Sequence, residues 1–227
     1  MLSFTEENYL KAIVQLTIFE STEREVGVNK LASCLDVKPA TVSDMVKKLN
    51  SKKLVNYKKY GKVSLTKKGQ KSGMMVIRRH RLWETFLQIK LNFSWAEVHD
   101  LAEELEHIYS EKLINRLDEF LDFPSFDPHG DAIPNADGEI FIPFRKILSE
   151  AKVGEIVKII AVKDNTKEFL NYVDKIGIVI NDKIIIESKD NFNSLTTINI
   201  KGKLHVVSPR FTDNIFIVPP MCEKVKR

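Results

Sequence analysis

The spacing of the hydrophobic residues changes once along this chain, and the change limits the folds available to it. Up to about Leu121, apolar side chains recur every three or four residues, which is the period of amphipathic helices. From Gly154 onward they tend to alternate, as they do in half-buried strands. Between these parts, residues 124–134 contain three prolines and a glycine, which favour turns. The sequence therefore predicts a mainly helical part followed by a small β domain.

The first 72 residues have the pattern of a DNA-binding module. Thr5 is placed to cap a first helix, and a second helix covers about Val28–Leu35. Pro39 suits the first turn of a third helix, because a proline there loses no helical hydrogen bond. Two β-rich runs follow and are joined around Tyr60 and Gly61. Two helices, a short turn, a helix and a hairpin are typical of a winged helix-turn-helix.

Three more helices are expected before the β domain. They cover about Lys67–Leu91, a stretch from Ser94 to about Ser110, and about Glu111–Leu121. Ser94 and Glu97 have the spacing of a capping box.

Beyond Gly154, several short strands and one small helix, over about Thr166–Asp174, suit an SH3-like β-barrel. We therefore predict a multidomain, mainly α protein with β. Its parts are a winged helix-turn-helix over residues 1–72, a helical domain over 73–145, and an SH3-like domain over 150–222.

Charge separates the same parts of the chain. Residues 1–72 hold 14 Lys and Arg against 7 Asp and Glu, whereas residues 73–145 hold 7 against 14. A basic first part suits a polyanion such as DNA. An acidic middle part suits cations, although a solvated acidic surface has the same composition.

Several classes of protein are disfavoured. There is no apolar run of the roughly 20 residues that a membrane span requires, and the first residues do not resemble a secretion signal. Cys34 and Cys222 cannot make a disulfide framework or a cysteine-only zinc site. Hydrolytic and nucleotide-binding motifs are missing. We expect a cytoplasmic protein that is not an enzyme and has no membrane partner.

The candidate DNA contacts lie at the start of the third helix and on the hairpin. The small hydroxyl side chains there allow close approach to bases in a major groove, and lysines on the hairpin suit phosphates. A solvated basic surface is the alternative. The candidates are Lys38, Pro39, Ala40, Thr41, Ser43, Asp44, Lys58, Lys59 and Lys62.

The candidate metal ligands lie in the acidic middle part. His99, Glu103, Glu106 and His107 have spacings that would align them along one face of a helix. Two imidazoles and two carboxylates on one face suit a divalent cation, although a solvated face is the alternative.

Other potential ligands flank this stripe. His80 and Glu84 form an i, i+4 pair on the preceding helix. Asp127 and His129 lie in the proline-rich turn.

Six segments resemble the diphtheria-toxin-repressor family of metal-dependent transcriptional regulators. The resemblance covers essentially the whole chain and is closest to manganese transport regulators with a C-terminal SH3-like domain. The segments are Glu7–Ile13, Lys38–Ser43, Arg79–Glu84, Val98–Asp100, Glu103–His107 and Phe123–Gly130.

The resemblance implies a homodimeric repressor of metal-ion uptake genes, in which a bound metal fixes two winged helices for a palindromic operator. It implies that residues 73–145 form a metal-binding and dimerisation domain and that the SH3-like domain over 150–222 is FeoA-like. It implies two metal sites. The first would use Asn8, Glu103, Glu106 and His107. The second would use His80, Glu84 and His99, with help from Asp127, His129 and Glu168 of the C-terminal domain. Oxygen ligands at positions 8 and 103 favour Mn²⁺ over Fe²⁺, which is the alternative.

Two residues depart from the family pattern. Manganese-type members usually carry Asp where this chain has Asn8, and some shorter members carry an acid where it has Lys11. Asn8 retains a carbonyl oxygen but removes one negative charge. A winged-helix regulator without metal control is therefore an alternative. A metallohydrolase is a further alternative, but it would leave the basic first part without a role.

Overall fold

The computed structural model describes residues 2–21, 23–57, 61–95, 97–141, 145–164, 166–190 and 192–219. The predicted helices and strands occur in the predicted order, and the structure adds short elements that were not predicted, among them a strand at Lys146–Ile147 and a helix at Pro209–Thr212. The helices are α1 (Phe4–Val14), α2 (Val28–Cys34), α3 (Pro39–Ser51), α4 (Lys67–Leu91), α5 (Val98–Leu105), α6 (Glu111–Phe120), α7 (Lys167–Ile176) and α8 (Pro209–Thr212). The strands are β1 (Val55–Tyr57), β2 (Val63–Leu65), β3 (Lys146–Ile147), β4 (Ile156–Val162), β5 (Lys183–Asp190), β6 (Leu195–Ile200), β7 (Lys203–Val207) and β8 (Ile215–Val218).

Two compact units contain these elements, and α4 contributes to both. The first consists of Met1–Arg79, Glu106–Tyr109 and Pro134–Glu139. The second consists of His80–Leu105, Ser110–Ile133 and Ile140–Arg227. The predicted domain boundaries stay predictions.

The first unit is built on three helices and a hairpin. β1 and β2 are antiparallel, with Asn56 opposite Ser64. Pro39 is the first residue of α3, as predicted. A buried apolar core joins α1, α2, α3 and the hairpin; its members include Leu10, Leu31 and Val46. This is the predicted winged helix-turn-helix.

The start of α1 differs from the prediction. Ser3, and not Thr5, is the N-cap, because the Ser3 hydroxyl accepts a hydrogen bond from the backbone N–H of Glu6. The Glu6 carboxylate in turn accepts the N–H of Ser3 at 3.0 Å, which completes a capping box. After α1 the chain continues through a π-helical turn at Gln15–Phe19.

The predicted helix from Ser94 to Ser110 is too long. Ser94 and Glu97 are hydrogen-bonded as expected, but α5 covers only Val98–Leu105. The backbone carbonyl of Glu106 accepts a hydrogen bond from Arg79 and not from a following helical turn. Hence the predicted single face for His99, Glu103, Glu106 and His107 is wrong, since the last two lie beyond the end of the helix.

The second unit contains the β domain. Its six strands are antiparallel neighbours in the order β3-β8-β4-β5-β6-β7, with register shifts in β4 and β5. These strands and α7 surround an apolar core, as predicted for an SH3-like barrel. Trp95 belongs to this core, and its indole N–H donates to the carbonyl of Ile178. In the described part of the chain, every helix is too short or too polar to cross a membrane.

Candidate metal centre

Three histidines surround the carboxylate of Glu84 in the second unit. His80 lies one turn before Glu84 on α4, and its Nε2 is 3.0 Å from Glu84 Oε1. His99 on α5 places Nδ1 3.1 Å from the same oxygen. One ligand atom each from His80, Glu84 and His99 lies within 4.8 Å of the other two. His129 adds Nε2 at 3.7 Å from Glu84 Oε1. We call these four residues the Glu84 cluster.

The loop that carries His129 is held by its own hydrogen bonds. Asp127 Oδ1 accepts the backbone N–H groups of His129 and Asp131, each at 2.9 Å. Arg81 Nε lies 3.4 Å from Asp127 Oδ2, and its Nη2 lies 3.1 Å from Asp131. Asp127 therefore shapes the turn that presents His129 to Glu84.

The pKa values of the two buried carboxyl groups in this region, those of Glu84 and Asp127, are shifted in opposite directions. Burial alone would raise the pKa of Glu84, but hydrogen bonds with His80 and His99 outweigh it and hold this pKa well below its usual range. Burial raises the pKa of Asp127 well above its usual value, and the nearby negative charge of Glu84 adds to the rise. The surroundings thus favour the charged form of Glu84 and disfavour the charged form of Asp127.

The barrel supports the His129 loop from the other side. The N–H of Val162 on β4 donates to the carbonyl of Pro128 at 3.0 Å. Gly130 has φ +87° and lies so close to the Phe216 ring that an added Cβ would come within 3.0 Å of it. The Arg145 guanidinium lies 3.8 Å from the centre of the same ring and donates to the carbonyl of Gly130.

The Glu84 cluster fits a divalent transition metal. Imidazole nitrogens and a carboxylate oxygen are donors that Mn²⁺, Fe²⁺ and Zn²⁺ accept. Of the other predicted ligands, Asp127 already pairs with Arg81. Glu168 is exposed in the first turn of α7, and it is not part of the group that the described residues form around Glu84.

A second cluster lies in the first unit and ties α1 to the segment after α5. Glu7 is buried, and its two carboxylate oxygens are each 2.7 Å from a partner, Arg79 Nη2 and His107 Nδ1. Phe4 stacks on the His107 ring, with 4.6 Å between the ring centres. A metal at this position would be bound by the other nitrogen of His107, because Glu7 already engages Nδ1.

Glu106 completes this second cluster, and its carboxylate forms an ion pair with a lysine. Its carboxylate is 2% exposed, and Lys11 Nζ on α1 lies 2.7 Å from Oε2. The other oxygen, Oε1, lies 3.9 Å from His107 Nε2. We call Glu7, Lys11, Arg79, Glu106 and His107 the Glu106 cluster.

The remaining predicted ligands of the first site are Asn8 and Glu103. Asn8 is exposed on α1. Glu103 belongs to the second unit, where its carboxylate is 3.5 Å from His99 Nε2. Their roles as ligands stay predictions.

Sequence reasoning missed the partners of the ligands. Glu7, Arg81 and Arg145 received no role, although Glu7 directly precedes the candidate Asn8 and Arg81 directly follows His80. Proximity to a candidate ligand was the available signal for these two. Arg145 had no such signal, because its contacts depend on how the barrel folds.

The predicted DNA-contacting residues of α3 are accessible. Lys38, Pro39, Ala40, Thr41 and Asp44 are exposed and Ser43 is half-buried, at the beginning of the helix.

On the hairpin, Lys62 is exposed and pairs with Glu23 at 2.8 Å. Lys58 and Lys59 lie outside the described residues. All these DNA contacts stay predictions.

Three known sequence families match consecutive parts of the chain. Residues 1–63 match the iron-dependent repressor N-terminal DNA-binding domain. Residues 66–135 match the iron-dependent repressor metal-binding and dimerisation domain, and residues 146–219 match the FeoA domain.

Individual proteins are also similar to parts or most of this chain. The HTH-type transcriptional regulator MntR of Oceanobacillus iheyensis is 33% identical over 117 residues, which cover 52% of this chain and 77% of that protein. A probable metal transport system membrane protein of Chlamydia trachomatis is 44% identical over 71 residues, but the match spans only 16% of that protein's length. A manganese-dependent transcriptional repressor, solved in complex with manganese, is 32% identical with a TM-score of 0.64, and the match covers 93% of this chain and 98% of that one.

The winged helix-turn-helix, the helical part and the SH3-like barrel of this chain thus correspond, in that order, to the three matched domain families. This chain belongs to the iron-dependent repressor family, the diphtheria-toxin-repressor family that its sequence motifs resemble.

Proposed function

We propose that this chain is a metal-dependent, DNA-binding transcriptional repressor that acts as a homodimer in the cytoplasm and has no catalytic activity. The observation that carries the proposal is the Glu84 cluster, in which His80, His99 and His129 surround one buried carboxylate. Imidazole nitrogens around a buried carboxylate form a donor set that divalent transition metals accept.

Mn²⁺ is the proposed effector and Fe²⁺ the alternative. The candidate ligands are nitrogen and oxygen donors, without the thiolate or thioether groups that favour softer metals. A solved relative that matches 93% of this chain, a manganese-dependent transcriptional repressor, was determined in complex with manganese. A link to metal uptake is supported by the chlamydial relative, which is named as a metal transport protein.

Metal can activate DNA binding only if it favours the conformation that binds DNA. The first unit contains a route for such coupling. Glu7 and Lys11 on α1 contact the His107 and Glu106 side chains directly, so a change at those two side chains acts on the helix that begins the winged domain.

A homodimer is supported by exposed apolar residues on α6 and just after it. Leu113, Phe120 and Phe123 are all exposed to solvent in the single chain. Burying such a patch against a second copy would remove apolar surface from water.

The test is metal-dependent DNA binding by the full chain. A DNA duplex is first selected from a random library in the presence of Mn²⁺, and its affinity is then measured by anisotropy with Mn²⁺ and with a chelator. We expect binding that is at least about tenfold tighter with Mn²⁺. Equal affinity under both conditions would contradict metal control, and failure to select any sequence would contradict the repressor.

A matched pair of variants assigns the effect to the Glu84 cluster. Glu84→Gln should lose most of the response to Mn²⁺, because the imidazoles lose their central carboxylate. Glu187→Gln removes the same charge from an exposed position on β5 and should respond like the unmodified chain. A similar response from both variants would argue against the cluster as the sensor.

DNA contacts are tested by salt dependence. If Lys62 contacts a phosphate, Lys62→Ala should weaken binding to all sequences alike and lower the salt slope by about one unit. Thr41→Ala should instead change which sequences are selected.

A further inference from the structure

We propose that Lys11 is a built-in competitor of the metal: its ammonium group neutralises Glu106 in the metal-free protein and so sets the Mn²⁺ concentration at which the Glu106 cluster is loaded. This inference rests on the proposed function. It assigns a role in metal response to a residue that is not itself a metal ligand.

The first argument is the burial of Glu106. Its carboxylate is 2% exposed, and an ionised carboxylate at such a position requires a cation or hydrogen bonds to offset its lost hydration. Lys11 Nζ supplies a cation at 2.7 Å from Oε2. The Glu106 carboxylate is therefore already paired with a positive charge from the same chain.

The second argument is that Lys11 can leave. Its side chain is 22% exposed, so a path to water is open. A lysine carries a strongly hydrated ammonium on a flexible stem, whereas the planar fork of an arginine suits fixed pairs. The neighbouring Glu7 is held in the second way, by Arg79, which is 6% exposed. One carboxylate of the cluster thus has a fixed cation and the other has a displaceable one.

The third argument is electrostatic. A divalent ion bound through His107 Nε2 and Glu106 Oε1, which lie 3.9 Å apart, would share the Glu106 carboxylate with the Lys11 ammonium. Cations a few ångströms apart in a partly buried site repel one another strongly. Whether Lys11 swings out or stays, metal binding must work against its charge.

The experiment measures Mn²⁺ binding to the full chain by calorimetry, in a Glu84→Gln background so that the Glu106 cluster is observed by itself. Lys11→Met keeps the length of the side chain and removes its charge, and it should tighten Mn²⁺ binding about tenfold. Lys11→Arg keeps the charge and should bind no more tightly than the background. Lys201→Met, which removes a lysine paired with Asp182 in the barrel, controls for loss of one charge.

Thermal unfolding separates competition from a merely structural role. Without metal, Lys11→Met leaves Glu106 buried without this cation, so its Tm should fall. Saturating Mn²⁺ should restore the Tm, because a ligand that binds only the folded state stabilises it. An equal loss of Tm with and without Mn²⁺ would show that Lys11 is structural and would overturn the inference. If Lys11→Met does not fold, Lys11→Gln keeps a hydrogen-bond donor and tests the same expectation.

The outcomes also separate this inference from the proposed function. Tighter binding by Lys11→Met alone, or binding that appears when only Lys11 is replaced, supports competition. Three results overturn the inference. They are an affinity of Lys11→Met within twofold of the Glu84→Gln background, equal tightening by Lys201→Met, and no Mn²⁺ binding by either the background or Lys11→Met. In each of those cases Mn²⁺ binding by the unmodified chain keeps the proposed function, whereas its absence refutes both.

Discussion

The carboxylates of Glu84 and Glu7 are both buried, but different groups surround them. Glu84 faces three histidines, whose imidazoles can bind either a proton or a metal. Glu7 faces Arg79 and His107, and the neighbouring Glu106 faces Lys11. Arginine and lysine are permanently charged at neutral pH and do not bind metals.

This difference suggests different tasks for the two clusters. The Glu84 cluster consists of three imidazoles and one carboxylate and contains no lysine or arginine, so all of its side chains are groups that a divalent ion can bind. The carboxylates of the Glu106 cluster are paired with side chains of the chain itself, and these pairs link α1 to the segment around His107. We therefore expect the first to bind Mn²⁺ more readily and the second to contribute more to stability.

Glu7→Gln should have the largest effect on stability. It leaves Arg79, which is 6% exposed, without its ionic partner, and breaking a buried pair on one side costs about 3 kcal/mol. Urea unfolding followed by circular dichroism measures the loss. Glu23→Gln, at the exposed pair with Lys62, is the matched control and should leave the unfolding midpoint unchanged. Equal midpoints for both variants would show that Glu7 does not hold the first unit together.

Gly130→Ala should have the second-largest effect on stability, and it should also disturb the Glu84 cluster. An alanine at φ +87° is strained, and its Cβ would lie 3.0 Å from the Phe216 ring and from the carbonyl oxygen of Val162. We expect a loss of about 2 kcal/mol in unfolding free energy together with weaker Mn²⁺ binding, because the loop also carries His129.

Gly177→Ala is the control for backbone strain alone. Its φ is +78°, but there is nothing within 4 Å of an added Cβ. If Gly177→Ala weakens Mn²⁺ binding as much as Gly130→Ala does, the contact between barrel and loop does not position His129.

Asn8→Asp should have a smaller effect, and it tests the predicted first metal site. If Asn8 is a ligand, a carboxylate there adds one negative charge for a divalent ion, and we expect Mn²⁺ binding about tenfold tighter, or ~1.4 kcal/mol. Calorimetry with Mn²⁺, Fe²⁺ and Zn²⁺ measures the change. Asn29→Asp adds the same charge at an exposed position on α2 and should change nothing. An unchanged Mn²⁺ affinity for Asn8→Asp would exclude Asn8 as a ligand.

The sequence predicted the fold better than it predicted the clusters. The periods of apolar residues gave α4 and β6 at their observed bounds, because long periodic runs depend little on distant contacts. The end of α5 could not be predicted in this way. It depends on Arg79, which lies 27 positions earlier and takes the carbonyl of Glu106 out of the helix.

The same limit applies to the clusters. Local spacing identified His80 with Glu84, since an i, i+4 pair meets on any helix. His129 reaches Glu84 only because the chain turns at Asp127 and the barrel contacts Pro128 and Gly130. Counter-ions such as Lys11 could not be predicted either. The helical pattern around Lys11 gives no information about Glu106, its partner 95 positions away.

Glu6 offers a last and smaller test of how the first unit neutralises its acids. Burial alone would raise its pKa, but hydrogen bonds from Lys52, Ser3 and Lys48 lower it to about 2. A pKa that is lower in the folded state stabilises the fold above the unfolded value of 4.5 and loses this contribution as the pH falls towards 2. The two lysines are 40% and 53% exposed, so solvent screens the pairs and we expect less than about 1 kcal/mol at neutral pH. Unfolding measured from pH 7 to 2 should therefore show a steeper loss of stability below pH 4.5 in the unmodified chain than in Glu6→Gln. Identical profiles would mean that Lys48 and Lys52 do not stabilise the charge of Glu6.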